Sequence, residues 1–265
     1  MKILKIFEII GGSTLKIINS LIPFGRFIVF YLRLFPFLFK PPFRLNIVFR
    51  QIEIIGVSSW GVITLTAIFT GMVEAIQLYN GFKEFGAEGF MGYTIFVSIT
   101  RELGPVFATL MVISRAISAM TAELGTMRVT EQIDAIDVLG LDSKRYLIIP
   151  RVLATAISLP ILVILFDIIS NVTAFYISTA VLDINPTVYA NIIQKLLHFG
   201  DILTGVFKAF VFGLSIGMIG AYVGYNTDGG AKGVGISTTN AVVFASISMF
   251  ALNYVLSSLF LILHW

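Results

Sequence analysis

Five apolar runs dominate this chain, at roughly residues 54–78, 95–122, 147–180, 202–226 and 236–263. Each is long enough to cross the hydrocarbon core of a bilayer, which takes about 20 residues in a helix. In hydrocarbon every backbone N–H and C=O must be satisfied within the protein, so runs of this length fold as helices. Only 12% of the 265 residues are charged and 57% are hydrophobic, whereas roughly a quarter are charged in soluble domains. The expected fold class is therefore an all-α integral membrane protein with five transmembrane helices. The chain has no cysteine and two histidines, His198 and His264, so disulfides and thiolate metal sites are excluded and no metal site is expected.

The N-terminal 46 residues are apolar too, but Lys2, Lys5, Lys16, Arg26, Arg33, Lys40 and Arg44 recur through them, and Pro23, Pro36, Pro41 and Pro42 break any long helix. This composition suits an N-terminal interfacial amphipathic segment, 1–46, ahead of a five-span domain, 47–265. No small-residue cleavage site follows an uninterrupted apolar stretch, so a cleaved signal peptide is not expected. With Arg50 there are eight cations before the first span; Arg128, Lys144, Arg145 and Arg151 follow the second, and Lys232 follows the fourth. The opposite side carries Lys83 and Lys195. Positive charge collects on the cytoplasmic side, so the N-terminus and the 128–151 and 227–235 loops are expected there. The net charge of +3 reports topology, and no nucleic-acid partner is implied.

Small residues recur at spacing four in the fourth span: Gly205, Ala209, Gly213 and Gly217, with Gly220 and Gly224 on a neighbouring row. Such rows let another backbone approach closely and leave room for sliding. Ser114, Ser118 and Ala122 repeat the device in the second span, with Thr121 and Gly125 offset by one. Pro160 is expected to kink the third span.

The segment from Arg101 to Arg151 interrupts this pattern with acids and bases at close intervals. A membrane protein tolerates such a segment mainly where it meets water, substrate or a partner. Arg115 and Glu123, two helical turns apart, predict a shared interior stripe. With Asp167 in the third span they read as buried ionic groups that set helix register. Arg101 and Glu102 stand just before Gly104-Pro105, where a locally broken helix can open a pocket. Further on, Thr130 reads as the N-cap of a short cytoplasmic helix, about 129–141, with Glu131 in its first turn complementing the helix dipole. Gly140 ends that helix and Asp142 caps the next. Ile133, Ile136 and Leu139 form its apolar face, while Gln132, Asp134 and Asp137 are polar, so it reads as a docking helix for a cytoplasmic protein.

The stretch ELGPVFATLMVISRAISAMTAELGTMRVTEQIDAIDVLGLDSKRYLIIPRVLA resembles the signature of the MlaE family of ABC-transporter permeases, and GGAKGVGISTTNAVV resembles its second block. The similarity spans roughly residues 50 to 260. It implies a homodimeric permease subunit of a bacterial inner (cytoplasmic) membrane, moving phospholipid or a related lipid together with a cytoplasmic ABC ATPase and an MCE-domain lipid-binding protein. It implies that Arg101 and Glu102 line the lipid cavity, with Gln77 and Tyr79 as further polar lining. It also implies that Thr130, Glu131, Gln132, Asp134, Ala135, Asp137, Leu139 and Gly140 belong to the helix that couples to the ATPase. Asn253 stands where several relatives carry Asp, and Glu74 where many are apolar. No G-x-x-x-x-G-K-[ST] sequence occurs, so ATP and Mg are expected on the partner chain, with no cofactor and no catalysis on this one. Two other classes compete: an ion-coupled secondary transporter using Arg115, Glu123 and Asp167 as a proton relay, and a membrane scaffold that only recruits a partner through the 128–142 helix.

Overall fold

The computed structural model describes residues 25–38 and 44–263. The chain forms two compact units, Met1–Phe43 and Arg44–Trp265. In the first, residues 25–34 form helix α1 and Phe35–Leu38 a 3-10 turn. Phe27, Tyr31 and Phe35, each four residues apart, stack with ring centroids 6.4 and 5.8 Å apart. The more N-terminal cations of the expected interfacial segment, and His264, lie outside the described residues.

The second unit is helical throughout. Among the described residues five helical stretches are long and apolar enough to cross a membrane: Leu45–Lys83, Glu88–Val129, Ser143–Ala180, Phe199–Tyr225 and Gly230–Ile262. The protein is thus an all-α, multi-pass membrane protein, as its hydropathy predicts. The first span starts earlier than its apolar run. Helix α2 (Leu45–Ile55), carrying Arg50 and Glu53, leads through a turn at Gly56 into α3 (Trp60–Lys83). The second span is built from α4 (Met91–Ser98), α5 (Gly104–Val112) and α6 (Ser118–Val129), joined by π-helical turns at Ile99–Leu103 and Ile113–Ile117. Short helix α7 (Gln132–Val138) connects it to the long α8 (Ser143–Ala180). Helix α9 (Pro186–Leu196) lies between the third and fourth spans, on the opposite side from α7, and α10 (Phe199–Tyr225) and α11 (Gly230–Ile262) complete the unit.

Where the helix was expected to break before Gly104-Pro105, it instead runs on through a π-turn. Proline has no N–H for the carbonyl four residues back, which is that of Arg101, and the Lys208 ammonium takes that carbonyl at 3.0 Å. Helix α8 likewise continues through Pro150 and Pro160.

Lipid tails are as apolar as leucine, so helices associate in a membrane by close packing rather than by hydrophobic expulsion. The glycine row of α10 does this within the chain. A Cβ on Gly213 would sit 2.8 Å from Ala156 Cα of α8, one on Gly224 2.8 Å from the Thr121 carbonyl of α6, and one on Gly205 would collide with the Thr100 carbonyl. Helix α10 is wedged between the second and third spans, and Thr121 Oγ1 donates to the Gly220 carbonyl at 3.1 Å. Apolar side chains that face outward, such as Leu65, Phe69 and Val73 on α3 and Ile161, Ile164 and Ile168 on α8, form the lipid-facing surface.

Candidate functional site

The first π-turn places Arg101 and Glu102 at the wall of a cavity of about 450 Å³, lined also by Val97, Ser98, Thr204, Lys208, Ser257, Phe260 and Leu261. It lies in the half of the spans nearer α9. Lys208, from α10, is fully buried, and its ammonium donates to Glu102 Oε1 at 2.7 Å, to Ser257 Oγ at 2.7 Å and to the Arg101 carbonyl at 3.0 Å. Glu102 accepts two more hydrogen bonds from α11, from Ser257 Oγ at 3.0 Å and from Asn253 Nδ2 at 3.1 Å. Its side chain is nevertheless 45% exposed to the cavity. Arg101 pairs more loosely with Asp201, 3.5 Å away. The site thus offers two cations and two carboxylates beside the apolar walls of Phe260 and Leu261.

Sequence reasoning found Arg101 and Glu102 but missed Lys208, Ser257, Asn253 and Asp201 as their partners. The available signal was the cost of a lysine at membrane depth, which demands an acidic partner without saying which. Asn253 supplies a permanent donor to Glu102, where an aspartate could donate only when protonated. Gln77 and Tyr79 do not line this cavity; Gln77 is exposed, and Tyr79 lies under the Lys83 ammonium at 5.3 Å. Glu74 stands beside the cavity, accepting from the lining Ser98 at 3.0 Å.

Arg115, Glu123 and Asp167 are not brought together. Arg115 Nη1 donates to Ser59 Oγ at 3.2 Å, and Glu123 pairs with the buried Arg151 at 2.8 Å. Asp167 Oδ1 is buried against Gly104 without a hydrogen-bond partner. The second π-turn lies between Arg115 and Glu123, and one extra residue rotates all that follows by about 100° relative to an α-helical count.

At the other end of the bundle, α7 differs from its expected form in two ways. Glu131, not Thr130, is the N-cap, and it adopts a left-handed conformation with φ 59°. The Thr130 hydroxyl donates back to the Thr126 carbonyl at 2.8 Å, because a β-branched residue resists the positive φ that the reversal from α6 to α7 requires. The apolar stripe also splits. Ile133 is fully buried in its own chain, whereas Val138 is 86% and Leu139 77% exposed. Gly140 ends the helix at φ 77°, and the Asp142 carboxylate accepts the Arg145 N–H at 3.2 Å, both as read from the sequence. Ser143 holds the Asp137 carboxyl below its ordinary pKa through side-chain and backbone hydrogen bonds, and Asp134 pairs with Arg128 at 2.7 Å.

A five-span bundle with a charged cavity at membrane depth and a short exposed helix held between two spans has the form of a transporter permease. The family described as "Permease MlaE" matches residues 48–259. The chain belongs to the MlaE permease family. It is 40% identical over 258 residues to a probable ABC transporter permease protein of Rickettsia bellii, covering 97% of this chain and 98% of the relative. It is 33% identical over 223 residues to the intermembrane phospholipid transport system permease protein MlaE of Haemophilus influenzae, covering 83% of this chain and 85% of that one. The chloroplastic protein TRIGALACTOSYLDIACYLGLYCEROL 1 of Arabidopsis thaliana is 39% identical over 211 residues, covering 80% of this chain and 60% of its own length. The chain is accordingly a transmembrane permease subunit of an ABC transporter, a class that works with ATPase subunits.

Proposed function

We propose that this permease moves phospholipid between a bacterial inner membrane and an MCE-domain partner in the envelope, as a homodimer driven by a separate ATPase that binds ATP and Mg. The cavity carries this reading. Arg101, Glu102 and Lys208 offer charge to a headgroup, Phe260 and Leu261 offer apolar surface to its chains, and a headgroup ion met by paired charges avoids the cost of isolated burial. The phospholipid transport in the name of the Haemophilus relative supports the same substrate class. Helix α7 faces the cytoplasm with the N-terminus in this arrangement, in keeping with the positive charge on that side. Its exposed Val138 and Leu139, together with Glu131, Gln132, Asp134 and Ala135, meet the ATPase. Gln77 and Tyr79 would touch lipid only on its way to or from the cavity.

Mass spectrometry of lipid retained by the purified complex tests the reading. Wild type should retain phospholipid, and Glu102→Lys should retain markedly less. Equal retention by both would remove the cavity from the pathway.

A further inference from the structure

The second span looks like the natural mechanical link between α7 and the cavity, because it is continuous in sequence from Arg101 to the start of α7. Its two π-turns, at Ile99–Leu103 and Ile113–Ile117, fall inside that path, and π-turns are sites where a helix yields. Helix α10 has no such interruption over its 27 residues, a rod of about 40 Å. Its α9-side half carries Asp201 and Lys208, the partners of Arg101 and Glu102.

Its other end is fastened to α7. The Tyr225 hydroxyl, on the last residue of α10, lies 2.9 Å from Ser143 Oγ. Ser143 is buried, and its N–H donates to Asp137 Oδ1 at 3.1 Å. A carboxylate only accepts, and the Ser143 hydroxyl also serves Asp137. Donation therefore runs from Tyr225 to Ser143 to Asp137. The Lys144 ammonium, 5.8 Å from the Tyr225 ring centroid, adds a cation–π contact to the same joint. The other side-chain tether of α7, Arg128 to Asp134, joins two solvent-accessible side chains and is weak for that reason.

We propose that Tyr225 and Ser143 are positioning residues that fasten α7 to α10, so that α10 rather than the second span carries displacement of α7 to Lys208 and through it to Glu102. The proposal rests on the reading of α7 as the ATPase-facing helix. Little slack is available along the way, since Gly213, Gly220 and Gly224 already bring α10 against α8 and α6 more closely than any Cβ would allow. A shift of α10 is therefore delivered at the 2.7 Å contact between Lys208 and Glu102.

The test is a double-mutant cycle on the complete permease–ATPase complex in vesicles of phosphatidylethanolamine and phosphatidylglycerol, read as phosphate release from ATP. Glu102→Gln perturbs the cavity; Tyr225→Phe removes only the hydroxyl of the joint and keeps the ring. In the otherwise native protein Glu102→Gln should change turnover about five-fold or more, the lower end for coupled sites. In the Tyr225→Phe background the change should shrink to within about two-fold, the range of uncoupled sites, with the ATPase still co-purifying. Ser143→Ala should behave as Tyr225→Phe does, and it stands in if that variant misfolds. A change of equal size in both backgrounds overturns the joint while leaving the permease reading intact. No change in either background also overturns it, and lipid retention by the same preparations then decides the permease reading separately.

Discussion

The ion pair in the cavity is lopsided, and the two halves should respond differently to removal. Lys208 is fully buried while the Glu102 side chain is 45% exposed. Glu102→Gln leaves an ammonium in the interior with only the Arg101 carbonyl and Ser257 Oγ as acceptors and no counter-charge. Stranding a buried charge costs about 3–5 kcal/mol. Lys208→Met fills the space of the stem and leaves a carboxylate that keeps its donors from Ser257 and Asn253 and meets water through the cavity. Loss of one charge-assisted hydrogen bond to a hydrated partner costs about 1–3 kcal/mol. In the double variant neither charge remains, and a buried pair replaced by neutral groups is often close to neutral. The double variant should therefore be more stable than Glu102→Gln alone. Thermal unfolding in one detergent checks this, since 1 kcal/mol moves the midpoint by about 2–4 °C in a protein of this size. If Lys208→Met proves as damaging as Glu102→Gln, or if the two costs add, burial asymmetry does not govern the pair.

Three further outcomes follow from particular contacts. Gly213→Ala, whose Cβ would meet α8 backbone at 2.8 Å, should cost about 1–3 kcal/mol, whereas Gly235→Ala, with open space around it in α11, should be neutral or stabilising; unfolding midpoints separate them. Leu139→Asp should abolish co-purification of the ATPase with the permease still folded, while Ile133→Asp, at a fully buried position, should prevent folding; size-exclusion profiles distinguish the two. The Asp137 carboxyl has its pKa held below the ordinary 3.8 by Ser143, so the stabilisation it gives to α7 is present above that value and is lost as the pH falls through its depressed folded value. Hydrogen exchange over 132–141, corrected for intrinsic rates, should therefore show protection at neutral pH that disappears only in strong acid, and Asp137→Asn should lack that acid-dependent loss.

Much of the bundle was legible from short stretches of sequence. The five spans follow from apolar runs, and the end of α7 follows from Gly140, which takes a positive φ that other residues resist. The Asp142 cap and the Arg101-Glu102 approach to a cavity were also visible. Thr130 misled because its type suits an N-cap, while the reversal of direction put the left-handed residue one position later, at Glu131. Ile133 and Leu139 misled because helical periodicity marks an apolar face without saying whether the chain itself or a partner covers it.

The sequence by itself determined that this protein is helical, crosses a membrane and presents a short capped helix between two spans. Those outcomes depend on transfer from water to lipid and on contacts a few residues long. Only the tertiary structure decided that Glu102 answers to Lys208, 106 residues away, that Glu123 answers to Arg151 rather than to Arg115, and that α10 lies between the second and third spans. Charge pairing inside a bundle depends on helix phase and on which helices are neighbours. Two π-turns alter that phase, and glycine contacts between distant helices select those neighbours.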